Sequence, residues 1–211
     1  MSKPTGEKEN QSIHRSSPIP HPLVRVFCAV ELPAEVRACA SEHIAHLRRR
    51  APDVRASWDR AEKLHITLKF LGEIEQGRVE ALSQAALRAT ESVPPFDLSL
   101  EGAGAFPPRG LPRVLWLGIS DPSGGLARLQ RRLEDECAGA GFTREERPFH
   151  PHLTIARLRR PEGARRLASQ HKDTGFASVG FAATELVVIR SELGPGGSRY
   201  TTISQHRLSG V

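Results

Sequence analysis

The sequence is short of the residues that build disulfide, metal–thiolate and membrane architectures. Its 211 residues include three cysteines, Cys28, Cys39 and Cys137, with no Cys-x-x-Cys pair. An odd count at such spacings excludes a disulfide framework and a cysteine zinc site. No apolar run approaches the roughly 18–20 residues needed to cross a bilayer. The polar N-terminus has no hydrophobic core of the kind a secretory signal needs. Long runs of like charge are missing too, Arg48-Arg49-Arg50 being the longest basic one. A membrane protein, a secreted disulfide scaffold and a zinc ribbon are thereby excluded, and a reduced cytoplasm is the expected setting.

What is present is a soluble globular composition, 38% hydrophobic and 26% charged. The length fits one large domain or two small lobes sharing a core. Basic residues outnumber acidic ones by 30 to 24, a net charge of +6, and 25 of the 30 are arginine. Arginine's planar fork suits phosphate, although a GC-rich genome produces the same excess. Charge permits a phosphate-bearing partner without demanding one.

Residues 1–22 carry Pro4, Pro18, Pro20 and Pro22 among polar residues and almost nothing apolar, which predicts a disordered tail before a single bilobal domain over 23–211. From Leu23 the elements alternate. Strands are expected at Leu23–Leu32, Ser57-Trp58, Leu64–Leu71 (closed by Gly72), Phe96–Leu100, Arg113–Ile119 and Phe149–Leu158, then at 177–181, 185–191 and 199–206. Helices are expected from Pro33 to Arg50, Glu75 to Glu91, Pro122 to Ala140 with Asp121 as cap, and Pro161 to His171. Gly194-Pro195-Gly196-Gly197 reads as a turn between the last two strands.

This order repeats. Strand, helix and a strand beginning His65-Ile66-Thr67-Leu68 are followed by strand, helix and a strand beginning His152-Leu153-Thr154-Ile155. Phe27 and Trp116 stand at equivalent places, 38 and 36 residues before the two histidines. Two copies predict an α+β body of duplicated lobes about a pseudo-twofold axis.

In a strand, residues i and i+2 project to one face. His65, Thr67 and Lys69 therefore alternate with buried Ile66, Leu68 and Phe70, and His152 and Thr154 share a face in the second copy. Two imidazoles can serve as acid and base near neutral pH, and two hydroxyls can donate to the oxygens of an anion. That set suits phosphodiester cleavage without a covalent intermediate.

The segments Leu64–Gly72 (LHITLKFLG) and Pro151–Arg157 (PHLTIAR) resemble the paired signatures of the 2H phosphoesterase superfamily. Arg25-Val26-Phe27, Glu31-Leu32-Pro33, Pro112–Trp116 and Ser191–Tyr200 extend the likeness to bacterial and archaeal RNA 2′,3′-cyclic phosphodiesterases, also called 2′-5′ RNA ligases. The resemblance implies two antiparallel sheets facing a central groove with helices outside. It implies hydrolysis of a 2′,3′-cyclic phosphate to a 2′-phosphate, with His65 as general acid, His152 as general base, and Thr67, Thr154 and Arg157 binding phosphate. Strand parity puts Arg157 on the face opposite His152, so Arg157 reaches the site only if the strand ends or bulges near Ala156.

Other residues invite other readings. Phe27 and Trp116 are core aromatics or base-stacking platforms, and Trp58 is similar. His150 and His152 could share a zinc ion, but no third ligand has a sensible spacing. His43 and His46 read as a solvated helix face, and Cys28 as an inert buried thiol. The sequence thus predicts a metal-independent, cofactor-free, monomeric enzyme acting on RNA ends or cyclic nucleotides and not on membranes. The alternative is an RNA-end-binding module with little turnover. The positive surplus is expected to gather around the groove of His65 and His152.

Overall fold

The computed structural model describes residues 22–195 and 197–210. The expected tail lies outside them except for Pro22, whose carbonyl accepts from the Gln76 amide at 2.8 Å. The apolar runs pair into two antiparallel sheets. One contains β1 (Leu23–Glu31), β3 (His65–Glu75), β8 (Glu185–Gly194) and β9 (Gly197–Arg207), in the order β3-β1-β8-β9. The other contains β2 (Ala56–Trp58), β4 (Phe96–Phe106), β5 (Val114–Ser120), β6 (His152–Leu158) and β7 (Val179–Ala183), in the order β2-β6-β5-β4-β7. The helices are α1 (Ala34–Arg50), α2 (Val79–Thr90), α3 (Gly125–Gly139) and α4 (Ala164–Thr174). None is long and apolar enough to cross a membrane.

β1 shows why the first run is apolar throughout: it is paired on both edges and covered on both faces. Val24, Val26, Cys28 and Val30 join the main core beneath the helices. Phe27 and Ala29 point the other way and, with Val187, Ile189 and Tyr200, form a small apolar floor. The helices exchange sides. α1 connects β1 to β3 of the four-stranded sheet yet packs with α4 and β7 on the five-stranded one. α3 connects β5 to β6 of the five-stranded sheet yet packs on α2 and β3.

Several boundaries differ from expectation. β3 does not close at Gly72 but runs on to Glu75, because Gly72 at φ 72° absorbs a register shift. β4 continues through Gly102 and Gly104 to Phe106, since β5 pairs with it along that length. β6 begins only at His152. Gly124, at φ 68°, starts α3 in place of Asp121, whose Oδ2 still accepts from the Ala127 amide at 3.0 Å.

The repeat is real but offset. Thr67 faces Ala29 across its ladder and Thr154 faces Trp116 across the other. The structural mate of Trp116 is therefore Ala29, 36 residues before His65, and not Phe27.

Candidate active site

Each His-x-Thr strand contains a β-bulge immediately after its threonine. In β3, Ala29 pairs with Thr67 and Cys28 with Lys69, leaving Leu68 as the extra residue. In β6, Trp116 pairs with Thr154 and Leu115 with Ala156, leaving Ile155 extra. An inserted residue reverses the alternation beyond it. Arg157 therefore shares the face of His152 and Thr154 and lines the same cavity. In β3 the same reversal overturns the expected position of Lys69, which turns into the core at 4% exposure. Its Nζ donates to Glu134 Oε2 at 2.6 Å and to the Thr143 carbonyl at 2.8 Å. Phe70, expected to be buried, faces the cavity and is 52% exposed.

The cavity between the sheets has a volume of about 360 Å³ and brings together His65, Thr67, His152, Thr154 and Arg157. The two imidazoles are held alike. His65 Nδ1 lies 2.7 Å from the Lys63 carbonyl, and His152 Nδ1 lies 2.7 Å from the His150 carbonyl. A carbonyl only accepts, so both Nδ1 atoms carry hydrogen and both Nε2 atoms are left for chemistry. His65 Nε2 accepts from the Thr67 hydroxyl at 3.1 Å.

The surroundings differ. His65 stacks on Phe27, with ring centroids 4.7 Å apart, and meets the edge of Tyr200 at 5.4 Å. Burial pushes its pKa down to about 4, the Lys63 carbonyl opposing and the Arg157 charge adding to the shift. His152 meets Phe106 edge-on at 5.2 Å. Its pKa is also lowered, first by burial, then by the charges of Arg157 and His150 against the pull of the His150 carbonyl. With no anion bound, both rings are neutral at pH 7.

Positive charge does gather here: Arg25, Lys63 and Arg157 line the cavity against the single carboxylate of Asp59. Burial raises the Asp59 pKa, with Arg157 and Lys63 opposing. Phe27 is 2% exposed and its face is occupied by His65, which leaves no room for a base upon it. Trp116 lies across Gly104 and tilts against Phe106 at 5.3 Å, outside the cavity lining.

Asp59, Lys63, Ser191, Ser198 and Tyr200 complete the lining and were not singled out by the motif. The last three come from the β8–β9 hairpin, where only family likeness marked Ser191–Tyr200. For Phe70 a signal was present: it follows His65 by five residues, as Arg157 follows His152.

One further expectation changes and another holds. His43 is not solvated but buried, and its Nε2 lies 3.0 Å from His171 Nδ1. Cys28 is fully buried, and burial together with nearby Cys137 pushes its thiol pKa up. Among the described residues, no group of three or more His, Cys, Asp or Glu side chains could hold a metal ion.

Comparison with known proteins converges on one family. A family model for the 2′-5′ RNA ligase superfamily matches residues 35–195. An RNA 2′,3′-cyclic phosphodiesterase from Escherichia coli is 36% identical over 186 residues, covering 88% of this chain and 97% of the relative. One from Methanothermobacter thermautotrophicus is 34% identical over 188 residues, covering 88% and 99%. Among solved structures, E. coli LigT complexed with 3′-AMP aligns with a TM-score of 0.69 at 32% identity, covering 89% of this chain and 99% of that one. A Thermus thermophilus protein reaches a TM-score of 0.73 at 28% identity, covering 88% and 98%.

Proposed function

Since this chain belongs to the 2′-5′ RNA ligase superfamily, we propose that it hydrolyses 2′,3′-cyclic phosphodiesters at RNA ends or on nucleotides to 2′-phosphates, with reversible 2′-5′ ligation as a side activity. The observation that carries this reading is the cavity in which two His-x-Thr pairs and Arg157 converge from two sheets. Acid, base and anion-binding groups are all side chains of one chain, so the proposal needs neither a metal nor a second subunit. Three free cysteines suit a reducing cytoplasm.

The positions support the following reaction. Thr67, Thr154 and Arg157 hold the non-bridging oxygens of the cyclic phosphate. His152 Nε2 takes a proton from water as the water oxygen bonds to phosphorus. The bond from phosphorus to the 3′-oxygen breaks, and His65 Nε2–H protonates that oxygen. Charge supports this division of roles. The more deeply desolvated His65 is, once protonated, the stronger acid, and the less shifted His152 is the better base. The bound phosphate anion raises both pKa values and supplies the protonated fraction of His65.

The test is a hydrolysis panel of cyclic mononucleotides and cyclic-ended RNA, with and without chelator, the product position being read by phosphorus NMR. A 2′-phosphate formed in the presence of chelator is expected. Binding without turnover would leave only an RNA-end-binding module, and loss of turnover to chelator would point to a metal.

A further inference from the structure

The cavity is at the small end of ligand pockets, so an RNA substrate must leave most of its chain outside it. A 2′,3′-cyclic phosphate ends the chain, and the remaining nucleotides leave in one direction only. Among the described residues, one depression adjoins the cavity at Phe70 and another at Asp59.

Charge selects between them. Beyond Phe70, the cations are already engaged. Lys69 is paired with Glu134 and Arg144 with Asp135, and Arg78 lies on the Phe142 ring and bonds the Ala140 carbonyl. Glu73, Glu75 and Glu145 line the same depression.

Beyond Asp59, three depressions join end to end. The cavity meets the middle one, which shares Arg48 and Trp58 with an arm lined by Arg49 and Arg55 and shares Ser41 and Ala61 with an arm lined by Arg37. A strand leaving the cavity therefore turns into the first arm, where the cations concentrate. Together they form a groove between α1 and the β2 edge, following α1 for roughly 25 Å. Five arginines line it (Arg37, Arg48, Arg49, Arg55 and Arg60) against the carboxylates of Asp59 and Glu62. Among the described residues, none of the five forms a salt bridge. β2 is the outermost strand of its sheet, so a chain can pass from the cavity around this edge.

We propose that this groove carries the single-stranded RNA lying 5′ of the reacting phosphate. Its arginines meet successive phosphates, and Trp58 offers an aromatic face to one base. Unpaired cations along a channel with an aromatic side chain are the elements of single-strand binding without sequence preference. The inference rests on the proposed function, because it places the reacting end in the cavity.

The experiment compares a cyclic mononucleotide with a cyclic-ended RNA of about eight nucleotides, on wild-type protein and on the surface variant Arg48→Glu/Arg55→Glu. Wild-type protein should show a KM at least about tenfold lower for the longer RNA, with salt weakening its binding by a log–log slope of about −0.7 per phosphate contacted. The double variant should lose that advantage and part of the slope while hydrolysing the mononucleotide at the wild-type kcat/KM. Trp58→Ala should weaken the longer RNA roughly tenfold, within the range of one lost base stack.

A KM independent of length in wild-type protein, or a length advantage surviving in the double variant, overturns the inference. So does an equal loss on both substrates. No hydrolysis of either substrate by wild-type protein overturns the proposed function instead. Fluorescence anisotropy with a 5′-labelled RNA ending in a 2′-phosphate then still decides whether the groove binds the strand.

Discussion

His65 and His152 stand on strands of one design, each bulged after its threonine, yet the residues beyond the bulges are opposites. In β3 the position turned into the core is Lys69 and the position turned into the cavity is Phe70. In β6 they are Ala156 and Arg157. The bulge is shared geometry, and what each lobe places after it divides the work. One lobe anchors α3 through a buried ion pair and offers an apolar face, whereas the other packs with a methyl group and brings a cation to the cavity. A site of two identical halves would hold two equal histidines. The single Arg157 breaks that equality, and the stacking of Phe27 on His65 breaks it further.

The largest expected effect falls on what the lobes share. His65→Ala and His152→Ala should each lower kcat by about 10²–10⁴, the usual contribution of one acid or base. The melting temperature should stay near wild type, since both side chains lie at a cavity wall. Full activity in either variant would end the paired acid–base account. The pH profile should separate them: each variant loses one limb of the bell, and loss of the same limb in both would remove the division of roles.

Next comes the buried side of the difference. Lys69→Ala leaves Glu134 buried, with Oε1 already unpartnered and Oε2 retaining only the Glu145 amide. Stranding a buried charge costs about 3–5 kcal/mol, readable in denaturant midpoints. Lys69→Met with Glu134→Leu should recover most of that loss. Failure to recover would mean that Lys69 does more than neutralise its partner.

The cavity side offers an exchange. Arg157→Ala should lower kcat by about 10²–10³, as removal of a charge-stabilising donor does. Adding Phe70→Arg to that variant should restore at least part of the rate, because the bulge aims both positions into one cavity. No recovery would show that the two positions are equivalent in the ladder but not at the phosphate.

Legibility in the sequence followed the same division. Alternation, spacing and the two His-x-Thr segments were enough to reveal two lobes and four of the site's side chains, because those features are local. The groove between facing sheets came instead from the family likeness. The bulges were not legible. Leu68 and Ile155 are ordinary strand residues, and a one-residue slip is decided by the partner strand. Strict alternation therefore placed Lys69 and Phe70 on the wrong faces and left Arg157 conditional. His43 was misplaced for a related reason. Two histidines three apart on a helix look solvated, and the partner that buries His43 lies 128 residues away. Trp116 was matched to Phe27 by counting, whereas pairing matches it to Ala29.

The exchanged helices extend the comparison to acid. α3 is pinned to the opposite sheet by the charged pair Lys69–Glu134, whereas α1 is pinned by the neutral pair His43–His171. His171 Nε2–H donates to the Trp116 carbonyl at 3.0 Å, directly behind the β6 bulge, so its Nδ1 must accept from His43 Nε2–H. Burial pushes the His43 pKa down to about 4, with the charges of His171 and His46 adding to it, and burial also lowers that of His171. Above pH ~6.5 neither the folded nor the unfolded state protonates these rings, and the contribution to stability is complete. As pH falls from ~6.5 towards 4, the unfolded chain binds protons that the folded His43 refuses, and stability is lost. The loss continues until the pH reaches the folded pKa of His43. His43→Gln keeps an N–H donor for His171 and removes one titration. Melting temperatures measured from pH 7 to 4 should fall less steeply in that variant than in wild type. Identical slopes would show that the pair holds α1 without sensing pH, and that the two helix anchors differ in chemistry but not in their response to acid.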